Sequence, residues 1–288
     1  ITQLQLVDGT IVLATLHGDE HFSYYSLLDG TPLKKSDNGK YEIISTETLN
    51  ARKATVINTL KTRAKGIGSI APAYFPHSGS PKALVILVDF QDVKFKSSNP
   101  VATFNHYLNA DFGTAVPSQD ASVFNEEDVN YGSVKEYFKE CSMGKFTPQF
   151  DIVGPVKVSK SATYYGGPSP IMGGTDHIGE FITEAIKKAD EKCDIDWKKY
   201  DWDDDGEVEQ VFVLYAGYGQ ATGGPTGTIW PNAWTLDEAL QNSDGNGGFS
   251  IDGVFINQYA CSNELYLDSG TVPMGLGVFC HEFSPCMG

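Results

Sequence analysis

Apolar and polar positions along the chain follow two regimes. Up to about residue 45, short apolar runs are cut by glycine turns. Leu4-Gln5-Leu6-Val7 precedes Asp8-Gly9, Ile11-Val12-Leu13 follows it, and the same chemistry returns at Asp29-Gly30 and Asn38-Gly39. Such dipeptides predict hairpins, because glycine takes a positive φ without steric cost. Over 46–65 the apolar spacing becomes helical, with Leu49, Val56, Ile57 and Leu60 on one stripe and Thr46 or Thr48 as the cap. Lys61, Arg63 and Lys65 before Gly66 suit a helix C-terminus. Gly66, Gly68, Pro72, Pro76, Gly79 and Pro81 then predict a linker over 66–81, with a boundary near residue 80.

Beyond the linker the longest apolar run is Lys82 to Phe90, KALVILVDF, which predicts an interior strand because both of its faces are apolar. Ser133 with Glu136 three residues on forms a capping box for a helix to Cys141. Ile178, Phe181, Ile182 and Ile186 predict an amphipathic helix over 175–192. Val208 to Tyr215 and Gly253 to Tyr259 read as strands, and residues 273–288 as the start of a helix. Strands interleaved with helices predict an α/β or α+β domain over 82–288. No internal repeat is visible.

Composition narrows the function classes. The net charge of −16 repels phosphate backbones and argues against nucleic acid as a partner. No stretch is long and apolar enough to span a membrane, and the residues from Ile1 onward show neither the basic n-region nor the apolar h-region of a signal peptide. The five cysteines contain no C-x-x-C pair and are too few for a disulfide scaffold.

Two segments carry chemistry. Asp201-Trp-Asp203-Asp-Asp205-Gly206-Glu207-Val-Glu209 has the D-x-D-x-D-G spacing of a calcium loop. Calcium takes six to eight oxygen ligands, which carboxylates at alternate positions of a tight loop can supply, with residue 207 adding a carbonyl and Glu209 a later oxygen. Phe212 occupies the twelfth position and a strand follows, so this is not a full EF-hand. The second segment is Gly275-Leu-Gly277-Val-Phe-Cys280-His281-Glu282-Phe283-Ser284-Pro285. In H-E-x-x-H the two histidines stand one helical turn apart and bind zinc, while the glutamate acts as general base. His281 and Glu282 supply the first half, and Pro285 stands at the fifth position. Leu276, Phe279, Cys280, Phe283 and Met287 would face a core, leaving His281 central on a face of small residues.

Taken together, ALVILVDFQDVKF at 83–95, YGSVKEYFKECSMGKF at 131–146, YDWDDDGEVEQVFVLYAGYG at 200–219, TIWPNAW at 228–234 and GVFCHEFSPCMG at 277–288 resemble immune inhibitor A-like zinc metallopeptidases of secreted bacterial type. HGDEHFSYYSLLDG at 17–30 resembles their pro-segments. The resemblance implies an α+β, zincin-like catalytic domain with a mixed sheet and an active-site helix over 82–288. A small β-rich plus helix pro-segment over 1–65 would precede it. It implies zinc on His281, general-base action by Glu282, calcium on Asp201, Asp203, Asp205, Glu207 and Glu209, and a protein or peptide substrate. The implied protein is a secreted zymogen, monomeric, without a membrane span. Pro285 replaces the second zinc histidine, Asn232 stands where relatives often have histidine, and the family motif continues past Gly288 toward a further ligand. Zinc is therefore expected to be weak or absent in this chain. No cysteine precedes Cys141, so latency through a thiol is excluded, and His17, Asp19, Glu20, His21 and His77 are the candidate blocking ligands. The competing readings are a non-catalytic, calcium-stabilised binding domain and, from Trp202, Trp230 and Trp234, a carbohydrate-binding module.

Overall fold

The computed structural model describes residues 1–18, 23–36, 40–54, 76–111, 132–167, 175–240 and 247–287. The N-terminal part is a five-stranded antiparallel meander of Thr2–Gln5 (β1), Ile11–Gly18 (β2), Ser23–Leu27 (β3), Pro32–Lys35 (β4) and Tyr41–Ile43 (β5), with neighbours paired in chain order. Its turns use the predicted chemistry: Asp8 and Asp29 each accept the amide two residues on at 2.9 Å, and Gly9 and Gly30 take φ of +94° and +88°. Leu4, Leu6, Ala14, Leu33 and Tyr41 form a small core of their own. A helix, α1, covers 46–54. The remainder of its predicted span, 55–65, and most of the predicted linker lie outside the described residues. Pro76–Pro81 is described, and there Gly79 exchanges backbone hydrogen bonds with Lys145 and Thr147 at 2.7 and 2.8 Å, which fastens this stretch to the larger domain.

That domain is built on Lys82–Asp89 (β6), Gln149–Lys157 (β7), Val211–Tyr218 (β9), Asn232–Thr235 (β10) and Gln258–Leu265 (β13). The sheet order is β10-β13-β9-β6-β7, with β10 antiparallel to β13 and the other pairs parallel. The helices are Pro100–Asn109 (α2), Val134–Cys141 (α3), Ala162–Gly166 (α4), Ile178–Lys192 (α5), Leu236–Ala239 (α6) and Gly277–Phe283 (α7). A second small sheet joins Glu207–Val208 (β8), Phe249–Ile251 (β11) and Val254–Ile256 (β12).

The unbroken apolar run of β6 follows from its place in the middle of the sheet. Leu84, Ile86 and Val88 enter one core with Phe181, Ile182 and Ile186 of α5. Ala83, Val85 and Leu87 enter the other with Phe104 of α2, Phe138 of α3, and Phe279 and Phe283 of α7. Alternating side chains thus serve opposite faces, so a polar residue at either parity would be buried. Ser133 caps α3, its Oγ accepting the Glu136 amide at 3.2 Å, a contact worth about 1 kcal/mol.

Three predicted elements differ in extent. The strand expected over 208–215 breaks at Glu209 and Gln210, both buried, because Glu209 turns back into the preceding loop. The strand expected over 253–259 divides at Asn257 into β12 and β13, which belong to different sheets. The helix expected from 175 begins at Ile178, with His177 as its N-cap.

Candidate metal and catalytic sites

The aspartate loop folds around its own amides. Asp201 accepts from the amides of Asp205 and Gly206 at 3.1 and 3.0 Å, Asp203 from Asp205 at 3.2 Å, and Asp205 from Glu207 at 2.8 Å. Gly206, at φ +89°, makes the turn, and its carbonyl accepts the Phe255 amide at 2.7 Å, fixing the loop to β12. Glu209 reaches back, and its Oε1 accepts the amides of Trp202 and Asp203 at 2.5 and 3.2 Å. Asp201, Asp203 and Glu209 then each offer an oxygen within 4.8 Å of the others, the sole such group of three metal-ligating side chains among the described residues. Asp205 and Glu207 stand outside that group. Burial holds the carboxyl of Glu207 above the usual range, with Asp205 adding to the effect.

Glu209 is the telling member. It is 1% exposed, burial pushes its carboxyl up to about 7 against the pull of its amide donors, and its Oε2 is buried without a hydrogen-bond partner in the protein. A buried, unpartnered carboxylate oxygen beside two further carboxylates is costly unless a cation joins them. The donor set is all hard oxygen, which fits calcium.

The second site lies on α7, which rests against β10 and β13. Phe279, Cys280 and Phe283 are buried, while Gly277, His281, Ser284 and Pro285 are exposed. The apolar and small-residue faces fall as their spacing predicts. Glu282, buried at 4% exposure, points to the sheet, where its charge bears on Cys261, Tyr215 and Tyr259. Asn232 sits on β10 opposite Cys261, donates to the Trp230 carbonyl at 2.7 Å and to the Cys261 Sγ at 3.5 Å, and is buried.

The α-helix stops at Phe283, and Ser284–Met287 tightens into a 3₁₀ turn. Proline has no amide proton to give the His281 carbonyl, so the α-helical ladder cannot continue through it. The Ser284 Oγ instead donates to the Cys280 carbonyl at 2.6 Å. A catalytic zinc takes three protein ligands; Pro285 offers no donor atom, and among the described residues no cluster of three ligating groups includes His281.

Beside His281, Tyr137, Leu276, Gly277, Cys280 and Ser284 join it in lining an open groove of about 390 Å³. Tyr137 was not singled out by the sequence. It lies 140 positions or more from the α7 residues it joins, and only the sheet order brings the two helices together.

Of the candidate latency ligands, Asp19, Glu20 and His21 lie outside the described residues. His17 is on β2, its Nε2 2.9 Å from the Ser26 Oγ and its ring stacked on Tyr24. His77 is exposed in the segment before β6. The N-terminal sheet meets the larger domain elsewhere: burial pushes the phenols of Tyr25 and Tyr41 up, and Thr226, in the loop leading to β10, lies near enough to oppose the rise.

The class to which this sheet and its helix-borne His-Glu pair belong comes from similarity to known proteins, and it is the metalloprotease family of hydrolases. Residues 74–288 match the family described as immune inhibitor A peptidase M6, catalytic domain, and the chain belongs to that family. It is 22% identical over 230 residues to the "Pre-pro-metalloprotease PrtV" of Vibrio cholerae serotype O1 (strain M66-2), covering 72% of this chain and 24% of that one. It is 25% identical over 177 residues to the "Immune inhibitor A" of Bacillus thuringiensis subsp. alesti, covering 54% of this chain and 26% of the relative. The chain thus spans about a quarter of the length of these curated relatives. No described helix is long and apolar enough to cross a membrane.

Proposed function

We propose that this chain is the monomeric precursor form of a secreted metalloendopeptidase catalytic domain, of a kind that acts on protein or peptide substrates, and that its own zinc centre is defective. The observation that carries the reading is the His281–Glu282 pair on α7, with Glu282 turned toward β13 and the edge strand β10 alongside. In the family chemistry a zinc ion would supply a polarised carbonyl and an activated water, His281 would be one ligand, and Glu282 would hold the proton of the attacking water. With proline at 285, this chain binds zinc weakly and hydrolyses no peptide bond. Calcium on Asp201, Asp203 and Glu209, with Asp205 in the same loop, stabilises the entry to β8 and β9. Residues 1–65 act as the pro-segment, docked through Tyr25 and Tyr41, and the relative named as a pre-pro-metalloprotease supports both the precursor and the secretion reading.

A second reading is a non-catalytic, calcium-stabilised domain that keeps the fold. The contrast between the converging oxygens of the aspartate loop and the single histidine on α7 favours it over any reading with full activity. Metal analysis of the purified protein beside a casein assay tests both. Stoichiometric zinc, or hydrolysis abolished by Glu282→Gln, overturns the defective centre. Pro285→His alone should raise zinc affinity without restoring activity. Limited trypsin digestion should release a fragment beginning near residues 62–66, and first cuts inside 82–288 would overturn the pro-segment.

A further inference from the structure

Two thiols flank one phenol at the groove on α7. Cys141 is the last residue of α3 and is exposed, whereas Cys280 is buried on the inner side of α7. The helices meet through Phe138 and Phe283, whose rings pack edge to face at 5.5 Å. Each cysteine stands three residues from one of these rings, 141 after 138 and 280 before 283. Residues three apart share a helix face, which sets each thiol one turn from the ring contact. Tyr137 closes the triangle: it lines the groove with Cys280, it stands one helical turn before Cys141 on the same face of α3, and the charges of both thiols bear on its phenol.

We propose that Cys141 and Cys280 are a disulfide-forming pair that fastens α7 to α3 under oxidising conditions. The fold separates them from the other thiols it describes. Cys261 belongs to the core on the α5 face of the sheet, and Cys193 packs against that same core, whereas Cys280 belongs to the opposite one with Phe138 and Phe283. A bond between Cys141 and Cys280 would close a loop running through β7, α5, β9 and β13, anchoring a short helix whose continuation Pro285 has loosened. With oxidised glutathione as oxidant, the exposed Cys141 sulfur attacks the glutathione disulfide and releases one glutathione thiolate. The Cys280 sulfur then attacks the Cys141 sulfur of the mixed disulfide and expels the second. Two protein thiols lose two electrons and two protons, and one glutathione disulfide becomes two glutathione thiols.

The test uses the full chain, equilibrated with excess oxidised glutathione, alkylated with iodoacetamide and digested with trypsin and chymotrypsin. Cleavage after Phe279 and Phe283 separates Cys280 from both Cys261 and Cys286. A peptide linking Cys141 to Cys280 is expected, together with a melting temperature about 5–10 °C above that of the reduced protein. Cys141→Ser, at an exposed position that leaves packing intact, should abolish both the link and the shift. Alkylation of both thiols, glutathione retained on Cys141, or a link from Cys141 to Cys193, Cys261 or Cys286 would each overturn the pair.

Discussion

The aspartate loop and the end of α7 are both short segments rich in ligating side chains, yet among the described residues only the loop brings three of them together. In the loop, Asp201, Asp203 and Glu209 lie within nine consecutive residues, and local amides with one glycine turn suffice to aim them at a common point. On α7 the second ligand must sit one turn beyond His281, and there the chain has a residue that both lacks a donor and ends the helix. A site closed within a turn is self-sufficient. One spread over a helix depends on the helix continuing. The two segments also differ in what they pack: the helix sets apolar rings into a core, whereas the loop gathers three carboxylates over its own amides.

That difference can be broken most sharply at Phe283. It is fully buried and touches Phe138, Phe150 and Phe279, while no metal holds the helix in the present reading. Phe283→Ala should cost about 3–5 kcal/mol, and the loss should be the same in calcium and in EDTA. Urea unfolding in both conditions measures this. A loss that depends on the metal would mean that the helix too is ion-supported.

Next in size is a pH effect that separates two buried carboxyls. Glu264 on β13, like Glu209, is pushed up to about 7 by burial, but it accepts the Lys96 and Gly217 amides at 2.7 and 3.0 Å and belongs to no metal-ligating cluster. Its folded pKa lies above the unfolded value, so the folded state holds the extra proton between them. Stability is full below pH 4.5 and falls as pH rises through 7, by about 3 kcal/mol for a shift of this size. The amides of Lys96, Ser97 and Gly217 and the Lys96 charge oppose the burial, and the sign is unaffected. Glu264→Gln should flatten this part of the profile, and added calcium should leave it in place. A profile unchanged by Glu264→Gln would reassign the effect.

Sequence pattern revealed what is local. The Asp-Gly hairpins, the Ser133 cap, the double-sided strand β6 and the two faces of α7 each follow from neighbours within one turn or one strand. What stayed hidden depends on topology. Tyr137 reaches the His281 groove only because α3 and α7 pack on the same face of the sheet, and Glu264 looks like any strand residue until Lys96 and Gly217 are folded onto it. Of the five residues the aspartate pattern offers, Glu207 was expected to serve through its carbonyl; the side-chain oxygens that converge are those of Asp201, Asp203 and Glu209, while Asp205 turns to the Glu207 amide.

The smallest effect is the one that defines the loop. Glu209 keeps an unpartnered oxygen against Asp201 and Asp203, an arrangement whose repulsion and desolvation a divalent cation would remove. An ion that binds only the native state stabilises it by RT ln(1 + [L]/Kd), about 2.7 kcal/mol at a hundredfold excess over Kd. Thermal unfolding should therefore shift upward with calcium and return with EDTA. Glu209→Gln keeps the shape and the Oε1 acceptor for Trp202 and Asp203, but it removes the charge that a cation would need. The variant should lose most of the calcium response while remaining folded in EDTA, because the burial of a carboxylate no longer has to be compensated. Replacing Asp205, which stands outside the convergent group, should leave more of the response. A melting temperature insensitive to both calcium and EDTA in the unmodified chain would show that the three oxygens are held together by their amides alone, and the contrast with α7 would then rest on geometry without an ion.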